Sequence, residues 1–204
     1  LDKGLVDNFR VDGKLYAMPW YVTLPALFVN ADAFEAAGLD PQNPPRNWSE
    51  LEAAAARLSD GSGNRFGVLM YMPNTYVYES QLLSSGGEMV DGEGRSGVAS
   101  RASVELMAFM RGLVEKQQMP ALAPSTFWGE ASRMFQSGEV AMLLSSSSAY
   151  NNVTSNIAFD LAVAPMPARD GEKALTAASG NGFVMLATDP ERQKATCKAL
   201  LSLV

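Results

Sequence analysis

The sequence predicts an α/β domain in which helices cover a mainly parallel or mixed sheet. Three observations support this fold class. Short apolar runs that are typical of buried strands alternate with helical segments along the whole chain. Capping residues precede several of the helical segments, and glycines follow several of them. The chain has 204 residues, which is enough to bury a sizeable core and is near the size at which one domain becomes two.

The first predicted elements lie around turn signals near the N-terminus. Asp12-Gly13 predicts a two-residue hairpin, because both central positions of a type I′ turn need a positive φ. A strand from Leu15 to Met18 is predicted to follow. The aromatic segment from Trp20 to Leu24 then lies between two prolines. Since proline gives a strand ladder no N–H donor, we expect this segment at a sheet edge or between sheets.

Helices are predicted where a capping residue precedes a helical segment. Asp32 is predicted to cap a short helix, and Asn47 with Glu50 has the spacing of a capping box. Ser125 and Asp189 are predicted to cap two later helices. The predicted helices cover residues 32–38, 47–58, 76–85, 100–118 and 125–136, and another follows Pro190.

The helix over residues 100–118 is predicted to be amphipathic. Val104, Met107 and Val114, with Met110 or Arg111, recur at helical spacing. A methionine-rich face of this kind is more typical of core filling than of a cofactor site. We therefore expect these side chains to face the core.

The remaining strands are predicted from short apolar runs. They cover residues 26–29, 66–72, 140–144, 159–164 and 182–186. In open α/β sheets, ligands bind outside the carboxyl ends of the strands. The junctions between a strand and the next helix are therefore the places to search for a binding site.

Composition and charge exclude several classes of function. A net charge of −6 without a basic run argues against nucleic acid and anionic membranes as partners. No stretch approaches the roughly 18 apolar residues of a membrane span. The single cysteine, Cys197, excludes an internal disulfide and a cysteine-rich metal site. Because the chain has no histidine, histidine-based acid/base catalysis and the commonest metal ligand are both missing. We expect neither a metal nor a cofactor.

No catalytic pattern stands out in the sequence. It has no Ser–His or Cys–His pair, no G-x-S-x-G elbow and no phosphate-binding glycine loop. Glu79 and Glu130 could pair as in a glycosidase, although nothing in their spacing selects them. A glycoside- or phosphoester-processing hydrolase is therefore the less favoured alternative, and we expect a protein that is not an enzyme.

Several motifs resemble those of one known family. They are G-K-x-Y-x-x-P, P-x-L-x-x-N-x-D-x-F-x-x-A-G-L-D-P and P-P-x-x-W between Gly13 and Trp48, and F-x-x-G-E-x-A-M from Phe135 to Met142. Together they resemble the family 1 solute-binding proteins of ABC importers, which include maltose-binding and glycerol-3-phosphate-binding proteins. The resemblance covers nearly the whole chain.

The resemblance implies a lobe of the type II periplasmic-binding-protein fold, with helices packed on a mixed sheet, together with segments that cross between two lobes. It implies a hairpin of the N-terminal lobe and a first crossing over residues 1–24, and a C-terminal lobe over residues 25–165. A second crossing and a return segment would cover residues 166–204. The chain would be a piece of a longer exported protein, without the start of the N-terminal lobe and without the C-terminal end.

The function implied by the resemblance is the capture of a small polyhydroxylated solute by closure of two lobes. The solute would be a sugar or a molecule like glycerol 3-phosphate, and it would pass to ABC permease membrane subunits. The protein would be periplasmic or a cell-surface lipoprotein, and a monomer at full length. A chemoreceptor-linked sugar sensor on the same fold is an alternative.

The resemblance and the strand-end rule select candidate ligand contacts in the first half of the chain. Trp20 and Tyr21 could stack on the apolar face of a sugar, and Thr23 could hydrogen-bond a hydroxyl group. Tyr76 matches the position of a ligand-stacking aromatic residue in the family. Trp48 and Trp128 are assigned to packing instead.

A serine run and a glycine-rich turn supply the other candidates. Small serines at a helix N-terminus let a ligand approach and add donors, and a serine-rich turn follows the same A-M motif in glycerol-3-phosphate-binding members. No arginine lies at a matched position to neutralise a phosphate, so the choice between sugar and glycerol phosphate stays open. The candidates are Ser146, Ser147 and Ser148 with Tyr150 as a companion, and Ser179 and Gly180 in the turn at the second crossing.

Overall fold

A computed structural model describes residues 3–202. The ends of the predicted segments 1–24 and 166–204, namely residues 1, 2, 203 and 204, lie outside the described residues. The fold divides into two compact units. Unit 1 comprises the described residues up to Thr23 and those from Ser179 onward, and unit 2 comprises Leu24–Ala178.

Helices and strands alternate along the described chain, which confirms the predicted α/β class. In chain order they are α1 (Lys3–Asp7), β1 (Arg10–Val11), β2 (Lys14–Leu15), β3 (Ala17–Thr23), β4 (Pro25–Asn30), α2 (Ala31–Ala36), α3 (Trp48–Leu58), β5 (Phe66–Met70), α4 (Thr75–Leu83), α5 (Arg101–Glu115), α6 (Phe127–Gln136), β6 (Val140–Ser146), a 3-10 turn (Ser147–Ala149), α7 (Tyr150–Thr154), β7 (Leu161–Pro165), β8 (Ser179–Val184) and α8 (Pro190–Leu201).

Unit 1 contains a hairpin and a separate two-stranded antiparallel sheet. The hairpin joins β1 to β2 through Asp12 and Gly13, whose φ angles of 48° and 76° confirm the predicted turn. The other sheet pairs β3 with β8 and has an irregular register between Pro19 and Tyr21. The predicted strand over residues 15–18 is therefore divided between β2 and β3. Asp189 caps α8 as predicted, because its carboxylate accepts a hydrogen bond from the backbone N–H of residue 192 at 3.0 Å.

The glycine-rich turn predicted at residues 179–182 is wrong, because these residues form most of β8. Gly180 pairs with Val22 and lies very close to the opposite strand. A Cβ atom at Gly180 would lie 2.3 Å from the carbonyl oxygen of Tyr21. The glycine therefore serves close strand pairing rather than a reversal of the chain.

Unit 2 is built on a four-stranded mixed sheet with the order β5-β6-β4-β7. β5 runs parallel to β6, and β4 is antiparallel to both of its neighbours. Side chains of β4 alternate between two buried clusters: Leu27 and Val29 pack with α3 and α5, whereas Phe28 packs with Phe135 of α6. Helices therefore cover both faces of the sheet, as the fold class requires.

Two helix caps differ from the prediction, and one agrees with it. The cap of α2 is Asn30, whose side-chain oxygen accepts a hydrogen bond from the Ala33 N–H at 2.9 Å, so the prediction of Asp32 is wrong. Thr126, not Ser125, is the N-cap of α6, and its side chain makes no capping hydrogen bond. The predicted cap of α3 is confirmed, because the Asn47 side chain accepts from the backbone N–H of residue 50 at 2.8 Å. The second bond of the capping box is shifted by one residue, because the Glu50 carboxylate accepts from the backbone N–H of Arg46 at 2.8 Å.

The predicted core face of α5 is correct only in part. Met110 and Val114 pack against the core, but Val104 is 61% exposed and Met107 is 42% exposed, whereas Leu106 and Leu113 are buried. The sequence holds two apolar stripes at helical spacing that are offset from each other by about one residue. The packing of α5 on the rest of unit 2 selects the stripe that contains the leucines.

The segment between β7 and β8 belongs to unit 2, whereas the sequence analysis ended the lobe at residue 165. Hydrogen bonds to α4 hold this segment. Ser84 Oγ donates to the Leu175 carbonyl at 2.8 Å and accepts from the Leu175 N–H at 2.9 Å. Ser80 Oγ accepts from the Ala177 N–H at 2.9 Å. These side chains, which the sequence pattern did not single out, fix the segment to the helix.

Candidate functional site

A cleft of about 280 Å³ lies in unit 2, beside the carboxyl ends of the parallel strands β5 and β6. Tyr71 directly follows β5, and the serine run closes β6. This is the position at which open α/β sheets bind ligands. The residues that line the cleft are Tyr71, Asn74, Trp128, Ser145, Ser146, Ser148 and Ala149.

Aromatic side chains form one wall of the cleft. The ring of Tyr71 lies 5.2 Å from the ring of Trp128 and 5.4 Å from that of Phe127, centroid to centroid. These tilted contacts hold Tyr71 in place, and both Tyr71 and Trp128 keep part of their surface exposed. Such a wall offers an apolar face on which a flat or weakly polar ligand surface can stack.

The serine run divides between two roles. Ser146 Oγ accepts a hydrogen bond from the Ser148 N–H at 3.0 Å and lies 2.6 Å from Ser148 Oγ, so these two cleft residues cap the 3-10 turn. Ser147 Oγ instead accepts from the Leu24 N–H at 3.0 Å, and the Ser147 N–H donates to the Leu24 carbonyl at 2.7 Å. Ser147 therefore fixes the end of β6 to the start of β4.

Two polar side chains that line the cleft lack hydrogen bonds that their positions would lead one to expect. Ser145 is fully buried, and its Oγ has no hydrogen-bond partner among residues 3–202. Asn74 is the N-cap residue of α4, but its side chain makes no capping hydrogen bond. The cleft therefore offers both groups to a molecule from outside the chain.

No charged side chain is among the residues that line the cleft within the described part of the chain. The nearby helix α6 places its charges elsewhere. Arg133 makes two hydrogen bonds to the carboxylate of Glu139, at 2.6 Å and 3.0 Å, and these bonds lower the pKa of Glu139 below its ordinary value. Among the described residues, no group of three or more His, Cys, Asp or Glu side chains could hold a metal ion.

The predicted residues of unit 1 lie together on the β3–β8 pair. Trp20 is 61% exposed, and its ring lies 5.3 Å from that of Tyr21. The Tyr21 hydroxyl accepts a hydrogen bond from the side chain opposite it on β8, Asn181. Thr23 Oγ1 donates to the Ser179 carbonyl at 3.5 Å. Trp20 and Tyr21 thus present exposed aromatic surface, whereas Thr23 is already hydrogen-bonded within the strand pair.

Tyr76 and Tyr150 are not among the residues that line the cleft. The ring of Tyr76 packs against the core of unit 2, and its hydroxyl is buried without a hydrogen-bond partner in the described chain. Tyr150 opens α7 and is 50% exposed. The structure therefore brings Ser146 and Ser148 into the cleft but leaves these two tyrosines outside its lining.

Comparison with known proteins identifies the family of this chain. The family described as bacterial extracellular solute-binding protein matches residues 1–201. The chain belongs to this family. No helix of the described residues is long and apolar enough to cross a membrane.

Several relatives of this solute-binding chain have been named or solved. The sn-glycerol-3-phosphate-binding periplasmic protein UgpB of Escherichia coli is 26% identical over 198 residues, which are 92% of this chain and 44% of UgpB. The GacH receptor of Streptomyces glaucescens, solved in complex with acarbose, is 26% identical with a TM-score of 0.80, over 97% of this chain and 53% of GacH. Maltose-bound MalE3 of T. maritima is 26% identical with a TM-score of 0.79, over 97% and 52% of the two chains.

These comparisons confirm the resemblance read from the sequence motifs and the fold class that it implies. The relatives are binding proteins, and the chain spans about half of their length or less. The two units are therefore those of a solute-binding protein, and the properties of the whole protein are addressed as proposals below.

The sequence analysis missed two residues of the cleft, left a third out of its selected contacts and gave a fourth another role. Tyr71 and Asn74 were not singled out, and Ser145 opens the predicted serine run, but the selected contacts begin at Ser146. Trp128 was assigned to packing, although it both packs on Tyr71 and lines the cleft. The strand-end rule would have selected Tyr71 if the parallel pairing of β5 and β6 had been known. That pairing joins strands about seventy residues apart, and no local pattern shows it.

Proposed function

We propose that this chain is part of the substrate-binding component of an ABC importer, and that the whole protein captures a small polyhydroxylated solute. The observation that carries the proposal is the unit 2 cleft, where an aromatic wall faces small hydroxyl side chains at the ends of parallel strands. Hydroxyl groups orient such a solute, and aromatic rings supply contact area. The named ligands of the relatives support this class, because glycerol 3-phosphate, acarbose and maltose all carry hydroxyl groups.

Each unit carries candidate contacts of its own. In unit 2, Tyr71 and Trp128 would stack on the solute, and Ser146 and Ser148 would add hydroxyl groups. In unit 1, the exposed rings on β3 are candidate stacking surfaces. The sequence-based candidates that the proposal retains are Trp20, Tyr21, Thr23, Ser146, Ser148, Ser179 and Gly180. Tyr76, Ser147 and Tyr150 belong to unit 2 but do not line its cleft, so they contribute less to the proposal.

In the whole protein, binding would proceed by closure of two lobes over the solute. A solute that touches both lobes only in the closed form shifts the open–closed equilibrium towards closure. Residues 1–24 and 166–204 would belong to the hairpin and crossing segments, and residues 25–165 to the C-terminal lobe. The protein would be exported, as a periplasmic protein or a cell-surface lipoprotein, and would deliver its solute as a monomer to ABC permease subunits.

A thermal-shift panel on the complete protein tests the proposed function. The panel contains neutral mono- and oligosaccharides, glycerol 3-phosphate and glycerophosphodiesters. A solute at about 100 times its dissociation constant stabilises the folded protein by about 2.7 kcal/mol, so binding is readily seen as a rise in Tm. A rise with at least one member of the panel supports the proposal, and no rise with any member contradicts it.

Small-angle scattering of the complete protein tests closure separately. We expect the radius of gyration to fall when a solute from the panel is added at saturation. An unchanged radius with a solute that is bound would contradict closure while leaving the binding function intact.

A further inference from the structure

We propose that the part of the solute held in the unit 2 cleft is an uncharged sugar ring, and that Ser145 hydrogen-bonds one of its hydroxyl groups. This inference rests on the proposed function and specifies the substrate class of the same site. It depends on three observations: the open hydroxyl of Ser145, the absence of charge from the lining, and the aromatic wall.

The hydroxyl of Ser145 lacks a partner within the described chain at a position where a partner is expected. Buried polar groups in folded proteins are nearly always hydrogen-bonded, and an unpaired one loses its hydration without compensation. The neighbouring residues show no such gap, because Leu144 is apolar and Ser146 is bonded to Ser148. We take the missing partner of Ser145 to come from the cleft, because Ser145 is among the residues that line it.

The lining chemistry favours an uncharged partner. No lysine or arginine is among the lining residues in the described part of the chain. A phosphate placed there would lose water without gaining a positive charge or a bidentate donor from these lining residues, which is unfavourable. A sugar hydroxyl both donates and accepts hydrogen bonds. It therefore matches the open hydroxyl of Ser145 and the open amide of Asn74, which also do both.

The shape of the cleft favours a single ring. Its volume of about 280 Å³ lies just below the range of about 300–1,000 Å³ that is typical of ligand pockets. The partly exposed Tyr71 and Trp128 offer a flat apolar surface of the kind that stacks on the C–H face of a sugar. A ring stacked on this wall can hold its hydroxyl groups towards the ends of β5 and β6.

Titration calorimetry of the complete protein tests the inference. The probes are D-glucose, maltose and glycerol 3-phosphate, applied to the wild type, to Ser145→Ala and to a control variant, Ser155→Ala. Ser155 is exposed, and its hydroxyl is bonded to its own helix end, away from the lining. We expect a neutral sugar to bind the wild type, a loss of affinity of about tenfold in Ser145→Ala, and less than a twofold change in the control.

Monodeoxy analogues of the sugar that binds provide the decisive step. Ser145→Ala should have less than a twofold effect on the analogue that lacks the bonded hydroxyl, because the interaction is already absent. A tenfold loss that is the same for every analogue would overturn the assignment of Ser145. Binding of glycerol 3-phosphate without any binding of sugar would overturn the neutral-ring inference but leave the proposed function standing. Failure of all solutes, including those of the wider panel, would overturn both.

Discussion

The polar face of α4 and the end of β6 both bury hydroxyl groups in unit 2, but only one of them satisfies these groups within the chain. We define the polar face of α4 as Ser80 and Gln81 of the helix together with Ser84 and Ser85, which directly follow it; all four are fully buried. Each makes hydrogen bonds, either to its own helix or to the segment that follows β7. Ser145 on β6 is equally buried, and its hydroxyl makes none among residues 3–202.

The difference indicates what each region does. A buried polar side chain whose partners are backbone groups of the same chain replaces the hydrogen bonds that those groups lose on leaving water, and so it serves the fold. A buried hydroxyl that faces a cleft without a partner adds nothing to the fold. In the proposal above, it gains its hydrogen bond when the solute binds. Mutations in the two regions should therefore change stability in opposite directions.

The largest effect is expected from Gln81→Ala. Gln81 Nε2 donates to the Pro167 carbonyl at 3.2 Å, and Gln81 Oε1 accepts from Trp48 Nε1 at 3.4 Å. The alanine variant leaves both partners unpaired and opens a cavity, which should lower the free energy of unfolding by about 2–4 kcal/mol. Urea denaturation measures it. Gln42→Ala, at an exposed position, is the matched control. If Gln81→Ala lowered the free energy of unfolding no more than this control does, the polar face of α4 would not stabilise the fold.

Ser84→Ala should lower the free energy of unfolding by less than Gln81→Ala does, because it removes two hydrogen bonds but little side-chain volume. The hydroxyl both donates to and accepts from the backbone of Leu175. We expect the free energy of unfolding to fall by about 1–3 kcal/mol. Amide hydrogen exchange at residue 175 should become faster in the same variant. Unchanged exchange there would mean that other contacts hold the segment after β7.

Ser145→Ala should change stability in the other direction. Removing a buried hydroxyl that has no partner removes an uncompensated desolvation cost, so the solute-free protein should gain up to about 1 kcal/mol. The measurement is urea denaturation without solute. A loss of stability comparable to that of Ser84→Ala would place Ser145 with the residues that serve the fold.

The smallest expected effect is a pH dependence of stability, which comes from a surface ion pair and not from either of the two regions. Neither the polar face of α4 nor Ser145 carries an ionisable group, so the effects of those variants should not depend on pH. Arg133 lowers the pKa of Glu139 in the folded state, so this pair stabilises the protein above the unfolded pKa of about 4.3. Its contribution is lost as pH falls through the lower folded pKa. The difference in stability between wild type and Glu139→Gln should therefore be present at pH 7 and shrink below about pH 4. Denaturation at both pH values checks this, and a difference that grows on acidification would contradict it.

Local chemistry explains which parts of the fold could be predicted. The hairpin at Asp12-Gly13 and the Asn47 cap of α3 involve residues within a few positions of each other, and both were predicted correctly. The cap of α2 was misassigned because Asn30 and Asp32 are both good capping residues two positions apart. The core face of α5 was misassigned in part because packing, not periodicity, chose between two apolar stripes.

The site was less predictable because its residues meet through long-range pairing. The serine run was visible in the sequence, and Ser146 and Ser148 do line the cleft. Ser145 was not selected, because only burial and the absence of a hydrogen-bond partner distinguish it from its neighbours. The polar face of α4 was likewise hidden, since Ser84 binds a backbone group ninety-one residues further along the chain.

The most direct test of this account is the thermal stability of the wild type and of Ser145→Ala, each measured without solute and with a saturating neutral sugar identified by the panel. The account predicts that their order reverses: the variant melts at the higher temperature without sugar and at the lower temperature with it. The same order in both conditions, or a variant that is less stable without sugar, would contradict the claim that Ser145 is left unpaired to bind the solute.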